Sequence, residues 1–171
     1  MVAGLVYAAM LIAWLSPTAA DQPAPPGWTR QAPLPVLDIG SYSIATPPSM
    51  QGGPRPGVDS VPAAYRAPGL DLQFDLAFQG EIPQCSEDRG CSRVEIDGAT
   101  AFIWRERGPI PNRPGTIQSL RFQVLVPGPS GATDLMLGGY AFCATASACD
   151  LAVRIVETVD FNFTWRRRAA E

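Results

Sequence analysis

The sequence contains no lysine and no histidine, so all thirteen of its basic residues are arginines. Without imidazole the chain has no base for a Ser-His-Asp or Cys-His nucleophile and no histidine ligand for zinc. Without lysine it forms no Schiff base and has no phosphate-binding loop of the Walker type. These absences exclude most familiar forms of catalysis. We therefore expect a protein that is not an enzyme and that holds no cofactor.

Positive charge is also scarce. Sixteen acidic residues outnumber the arginines and give a net charge of −3, which is the wrong sign for binding nucleic acid. Three arginines are adjacent, Arg166, Arg167 and Arg168, and they follow Trp165. This Arg-rich tail, residues 164–171, is a candidate for partner contact, including weak contact with an anionic membrane surface. The alternative is a solvated terminus.

A short apolar run near the amino terminus predicts export. Leu5–Leu15 is apolar but shorter than the roughly 20 residues that span a bilayer, and small residues with Pro17 follow it. This pattern is typical of a signal peptide, residues 1–20, cleaved after Ala20. The segment before the run has no basic residue, so an uncleaved N-terminal membrane anchor remains an alternative. The Arg- and Ala-rich composition favours a bacterium, and hence a periplasmic or secreted protein.

The four cysteines agree with export, because an even number in an exported chain favours disulfides. They form two closely spaced pairs, Cys85 with Cys91 and Cys143 with Cys149. Three pairings are open in principle, and we favour the two local ones, since each closes a small loop. The spacing of five intervening residues is a poor match to zinc sites, so we expect no metal.

Proline and alternating hydrophobicity divide the rest of the chain. Residues 21–35 contain five prolines and predict a linker, and residues 47–58 predict a loop. Between them and beyond, residues 36–163 predict one α+β domain. Its expected strands cover residues 36–39, 42–46, 61–66, 70–78, 93–96, 99–106, 120–126, 134–143 and 161–163.

Two strands, residues 99–104 and 134–143, are apolar on both faces. Such strands are usually covered on both sides, so we expect an antiparallel sheet sandwiched by helix layers. One clear helix is predicted, residues 147–159, in which Leu151, Ile155 and Val159 form an apolar stripe.

The order of these signals resembles the PsbP-like, or Mog-type, domains. The resemblance spans roughly residues 36–163. It is carried by Val58-Asp59-Ser60, by Ile96-Asp97-Gly98 with Ala101 beyond it, and mainly by the stretch FCATASACDLAVRIVETVDF, residues 142–161. It implies an antiparallel sheet with helices on both faces and an accessory or binding role. No partner-contacting motif of that family is recognisable here.

The sequence thus predicts a non-catalytic exported module that binds an unknown protein partner in the cell envelope. One alternative is a hydrolase that uses only carboxylates. Asp71 and Asp75 share the polar face of a strand, but at about 13 Å apart they exceed the spacing of a glycosidase pair, and we expect them to be solvated. The other alternative is a surface protein that docks to anionic lipid through its Arg-rich tail.

Overall fold

The fold is described from a computed structural model, which describes residues 23–36, 40–57, 59–78, 84–87, 90–110, 112–128 and 133–165. The expected signal peptide and the three adjacent arginines of the tail lie outside these residues.

The described residues form twelve β-strands and one α-helix. The strands are β1 (Thr29–Arg30), β2 (Leu34–Val36), β3 (Gly40–Ser43), β4 (Ala45–Thr46), β5 (Gln51–Pro54), β6 (Val61–Ala67), β7 (Leu70–Phe78), β8 (Cys91–Ile96), β9 (Ala99–Arg107), β10 (Gln118–Pro127), β11 (Thr133–Cys143) and β12 (Asp160–Phe163). The helix is α1 (Ala146–Val156).

Seven strands form one large antiparallel sheet in the order β5-β6-β7-β11-β10-β9-β8. Two meanders, β5 to β7 and β8 to β11, are joined where β7 pairs with β11. The β8–β9 hairpin turns at Asp97 and Gly98, whose φ angles of 47° and 69° are those of a tight primed turn. The carboxylate of Asp97 also accepts a hydrogen bond of 2.9 Å from the amide of Phe161 in β12.

The core lies on one face of the large sheet, where α1 contacts β7, β10 and β11. Thr145 caps the helix, because its hydroxyl accepts a hydrogen bond of 3.2 Å from the Ala148 amide. The small β12-β3-β2 sheet completes this layer. Together they bury the inward side chains of the large sheet, which include Leu72, Phe74, Leu76, Ala101, Ile103, Phe122, Val124 and Leu137.

The expected α+β sandwich with helix layers is wrong, because the protein is mainly β and its described residues contain a single helix. That expectation was based on two strands, at residues 99–104 and 134–143, that are apolar on both faces. In the structure, the second apolar face belongs to side chains that stay partly exposed, such as Tyr140 and Phe142. The apolar pattern therefore marks a face of the sheet that the described residues leave open at its centre.

Two segments that were expected to be irregular contain strands. The expected linker includes β1 and β2, and within it Trp28 packs against the core. The expected loop at 47–58 contains β5, which pairs with β6. Gly52 has a φ of 137° and lies against the backbone of Ala64, where a β-carbon would clash. Glycine therefore permits this close edge pairing, although glycine and proline usually indicate a loop.

Both local disulfides are confirmed, Cys85–Cys91 and Cys143–Cys149, and the described residues contain no free cysteine. The second bond links the end of β11 to the first turn of α1 and so fixes the helix to the sheet. Two disulfides indicate an exported protein in an oxidising environment. No helix in the described part of the chain is long and apolar enough to cross a membrane.

Candidate functional site

The side of the large sheet that points away from α1 carries a mixed set of aromatic, charged and small side chains. We call it the outer face. Strict alternation along each strand puts these residues there, opposite the core residues. On the four central strands they are Asp71, Gln73, Asp75 and Ala77 of β7, Met136, Gly138, Tyr140 and Phe142 of β11, Ser119, Arg121, Gln123 and Leu125 of β10, and Thr100, Phe102, Trp104 and Glu106 of β9.

Aromatic rings occupy the centre of the outer face. The rings of Tyr140 and Phe142 are nearly parallel, with centroids 6.5 Å apart. On β9, the centroids of Phe102 and Trp104 are 6.0 Å apart. Tyr140 is 49% exposed, which is unusual for a large ring in the middle of a sheet. Its exposure makes it a surface on which a ligand can stack.

Arg121 lies between these two aromatic groups. Its neighbours across the sheet are Trp104 on β9 and Tyr140 on β11. Its guanidinium carbon is 4.9 Å from the Trp104 ring centroid, so the cation is held over the indole face. In the described part of the chain, the one hydrogen bond of this side chain goes to Gln123 Oε1 at 3.4 Å, and no carboxylate pairs with it. Arg121 is thus a half-buried, oriented cation with most of its five donors unused.

A cavity of about 500 Å³ opens beside Tyr140. Its floor is at Gly138, which lies between Asp75 of β7 and Gln123 of β10. A β-carbon on Gly138 would point into this space and come no closer than 3.9 Å to Phe122 O. The cavity therefore stays open because residue 138 is a glycine, although the backbone there has room for a side chain.

A second cavity of about 460 Å³ adjoins the first, and Arg121 and Tyr140 line both. Together the two cavities are lined by four arginines and two carboxylates, which is a net charge of +2 in a chain whose net charge is −3. The arginines are Arg55, Arg66, Arg107 and Arg121, and the acids are Asp75 and Glu106. This local excess of positive charge favours an anionic ligand.

The connection between β9 and β10 reaches the edge of the outer face through Arg113. Its guanidinium carbon is 4.3 Å from the Phe142 ring centroid. Arg113 Nη1 also donates to Asp71 Oδ2 at 2.9 Å, and Arg66 Nε lies 3.8 Å from Asp71 Oδ1. Only 18% of the Asp71 side chain is exposed. The expectation that Asp71 is solvated is therefore wrong, whereas Asp75 is exposed.

These contacts bear on the two alternative functions. Asp71 is held by two arginines, so it is not a free acid or base next to Asp75. Trp165 stacks on Phe163 with the ring centroids 4.7 Å apart, which attaches the indole to the closing strand. Contact with anionic lipid therefore depends mainly on the three adjacent arginines of the tail, which lie outside the described residues. The described residues also contain no group of three or more acidic or cysteine side chains that could hold a metal ion.

Sequence patterns did not identify the outer face as a site. Asp75 was expected on the polar face of an ordinary strand, and the strand at residues 134–143 was expected to be covered on both faces. One signal was available. The strand at residues 134–143 has an apolar second face that includes Tyr140, and no second helix is predicted to cover it. An apolar face without a predicted cover is typical of an exposed binding surface.

Comparison with protein-family models, with curated proteins and with solved structures found no match. The resemblance to PsbP-like domains therefore stays a hypothesis, and the function is argued from the site alone.

Proposed function

We propose that this protein is a non-catalytic binding module of the bacterial envelope, exported to the periplasm after removal of residues 1–20. Its ligand is a small molecule that occupies the outer face at Gly138, beside Tyr140. The two disulfides and the apolar amino-terminal run support export. The cavity supports the ligand, since its volume of about 500 Å³ lies within the roughly 300–1,000 Å³ of small-molecule sites.

The arrangement of polar groups favours binding over hydrolysis. The larger cavity contains one carboxylate, Asp75, whereas a carboxylate-dependent hydrolase needs two that converge on one bond. The other polar residues that line this cavity include Gln123, Arg121 and Tyr140. They can donate and accept hydrogen bonds and orient a ligand. The cavity is concave, which fits a small ligand better than the flat surface of a protein partner.

The proposal is tested by the thermal stability of the full chain, secreted by a bacterial host, against a panel of small molecules. The panel holds amino acids, dicarboxylates, neutral and acidic sugars, and nucleotides. A binding compound raises the melting temperature by mass action. Gly138→Val fills the floor of the cavity and should abolish this rise. Gly53→Val is the matched control, because a β-carbon at Gly53 on the edge strand meets nothing within 4 Å and Gly53 does not line the cavity.

Two results would overturn the proposal. The first is that no compound stabilises the wild-type chain, or that Gly138→Val is stabilised as much as the wild type. That result would remove the outer face as the binding site. The second is that a stabilising compound is converted to product on incubation with the protein. That result would show that the module is catalytic.

A further inference from the structure

We infer that the ligand of the outer face is a small hydroxylated ring that carries a carboxylate, the chemistry of a uronic acid. Arg121 binds the carboxylate, and Asp75 and Gln123 bind the hydroxyl groups. This inference rests on the proposed function and names the substrate class of the same site.

The carboxylate position follows from the state of Arg121. Its guanidinium is half-buried and kept over Trp104, and in the described part of the chain no carboxylate neutralises it. A cation that is partly removed from water without a counter-ion is costly, and an incoming anion recovers that cost. The planar fork of arginine matches the two oxygens of a carboxylate, and the fixed plane over the indole reduces the ordering needed on binding.

The hydroxyl positions follow from the two polar residues that flank Gly138. Asp75 is an exposed acceptor on β7, and Gln123 supplies both a donor and an acceptor on β10. Both flank Gly138, where no side chain fills the space. The negative charge of Asp75 repels a second carboxylate, so a ligand with one acid group and several hydroxyls enters in one orientation. Its anionic end is then at Arg121.

The spacing of the strands sets the length of the site. Asp75 and Arg121 are two strands and two residues apart, which is about 12 Å between their α-carbons at roughly 4.8 Å per strand and 3.3 Å per residue. The guanidinium of Arg121 lies over Trp104 on the β9 side of its strand, so the ring sits above Gly138, next to Gln123 and Tyr140, and its carboxylate is on the side toward Arg121. The exposed face of Tyr140 lies alongside and can pack against the apolar face of that ring.

The test is calorimetric titration of the full chain with glucuronate, glucose and benzoate. We expect glucuronate to bind about tenfold or more tightly than glucose, which lacks the carboxylate, and than benzoate, which lacks the hydroxyls. Arg121→Gln should weaken glucuronate about tenfold and leave glucose unchanged. Arg121→Lys keeps the charge but not the planar pair of donors, so its affinity for glucuronate should lie between those of the wild type and Arg121→Gln. Arg93→Gln is the control, because Arg93 is an exposed arginine of the same sheet that lines neither cavity.

The outcomes separate this inference from the proposed function. If glucose binds as tightly as glucuronate and Arg121→Gln changes neither, the carboxylate assignment is wrong although the site is real. If benzoate equals glucuronate, the roles of Asp75 and Gln123 are wrong. If another compound of the panel binds in a way that Gly138→Val abolishes, and glucuronate does not bind, the inference fails and the binding module stands. If no compound binds, both fail.

Discussion

Gly138 and Gly139 are adjacent on the same central strand, yet alanine should have opposite effects at the two positions. A β-carbon on Gly139 points into the core and overlaps the backbone oxygen of Gln73 and the ring of Phe122. A β-carbon on Gly138 points to the outer face and stays 3.9 Å from its nearest neighbour, Phe122 O. The pair therefore tests which face of the sheet is packed and which is open.

The structure sets the size of both effects. Overpacking a core costs about 1–3 kcal/mol, and the upper end applies to Gly139→Ala because the Gln73 carbonyl cannot rotate away as a side chain can. At about 2–4 °C per kcal/mol for a chain of this length, the melting temperature should fall by about 6–12 °C. Gly138→Ala should be neutral or stabilising by up to about 1 kcal/mol, since it lowers the entropy of the unfolded chain without a clash.

The assay is thermal unfolding of both variants and the wild type, followed by circular dichroism in the same buffer. The ligand-free protein is used, so the comparison does not depend on any proposed function. Equal melting temperatures for the two variants would contradict the assigned faces. A loss at Gly138 as large as that at Gly139 would show that the outer face is covered at its centre.

Three further predictions concern the covalent and polar contacts of the core. Replacing Cys143 and Cys149 together by serine should lower the free energy of unfolding by about 2 kcal/mol, the entropy of a short closed loop. Reductant should lower the melting temperature of the wild type by at least as much as this double substitution does. Thr158→Val should cost about 1–3 kcal/mol in urea unfolding, because the buried amide of Ala45 loses the hydroxyl that accepts its 2.9 Å hydrogen bond; Thr158→Ser keeps that hydroxyl and should be nearly neutral. Burial raises the pKa of Tyr42 above its ordinary value of 10.0, so its contribution to stability is intact below pH 10 and is lost as the pH rises further. Tyr42→Phe should therefore flatten the fall in unfolding free energy above pH 10, measured by urea titration at several pH values.

Local patterns in the sequence were sufficient for the strands with long-range alternation. The nine residues of β7 alternate strictly, and its predicted bounds match the observed ones. The Asp97-Gly98 turn was also predictable, because two consecutive positive φ angles restrict the residues that fit. In both cases the information is local, since it depends on the pleat of one strand or the geometry of one turn.

The short strands β1 and β5 were not predicted, because tertiary contacts define them. Gly52 in β5 pairs closely with β6, and the pattern around it contains only proline and glycine. Likewise Arg30 in β1 donates a 2.6 Å hydrogen bond to Thr158 O, 128 residues away. Composition rules assign both segments to loops or linkers, since those rules consider neighbours in sequence alone.

The wrong expectation of a second helix layer has the same origin as the missed site. Alternation shows that Tyr140 belongs to the second face of β11. The apolar residues on that face show that it favours contact with something other than water. Neither fact distinguishes a face covered by another layer of the same chain from a face that binds a ligand reversibly. The difference depends on what is near in space. In the described residues the space above Gly138 is a cavity, and Arg121, which lines it, has no carboxylate partner. The proposed ligand site therefore rests on an apolar second face that includes a half-buried arginine without a carboxylate partner, and neither alternation nor composition reveals that combination.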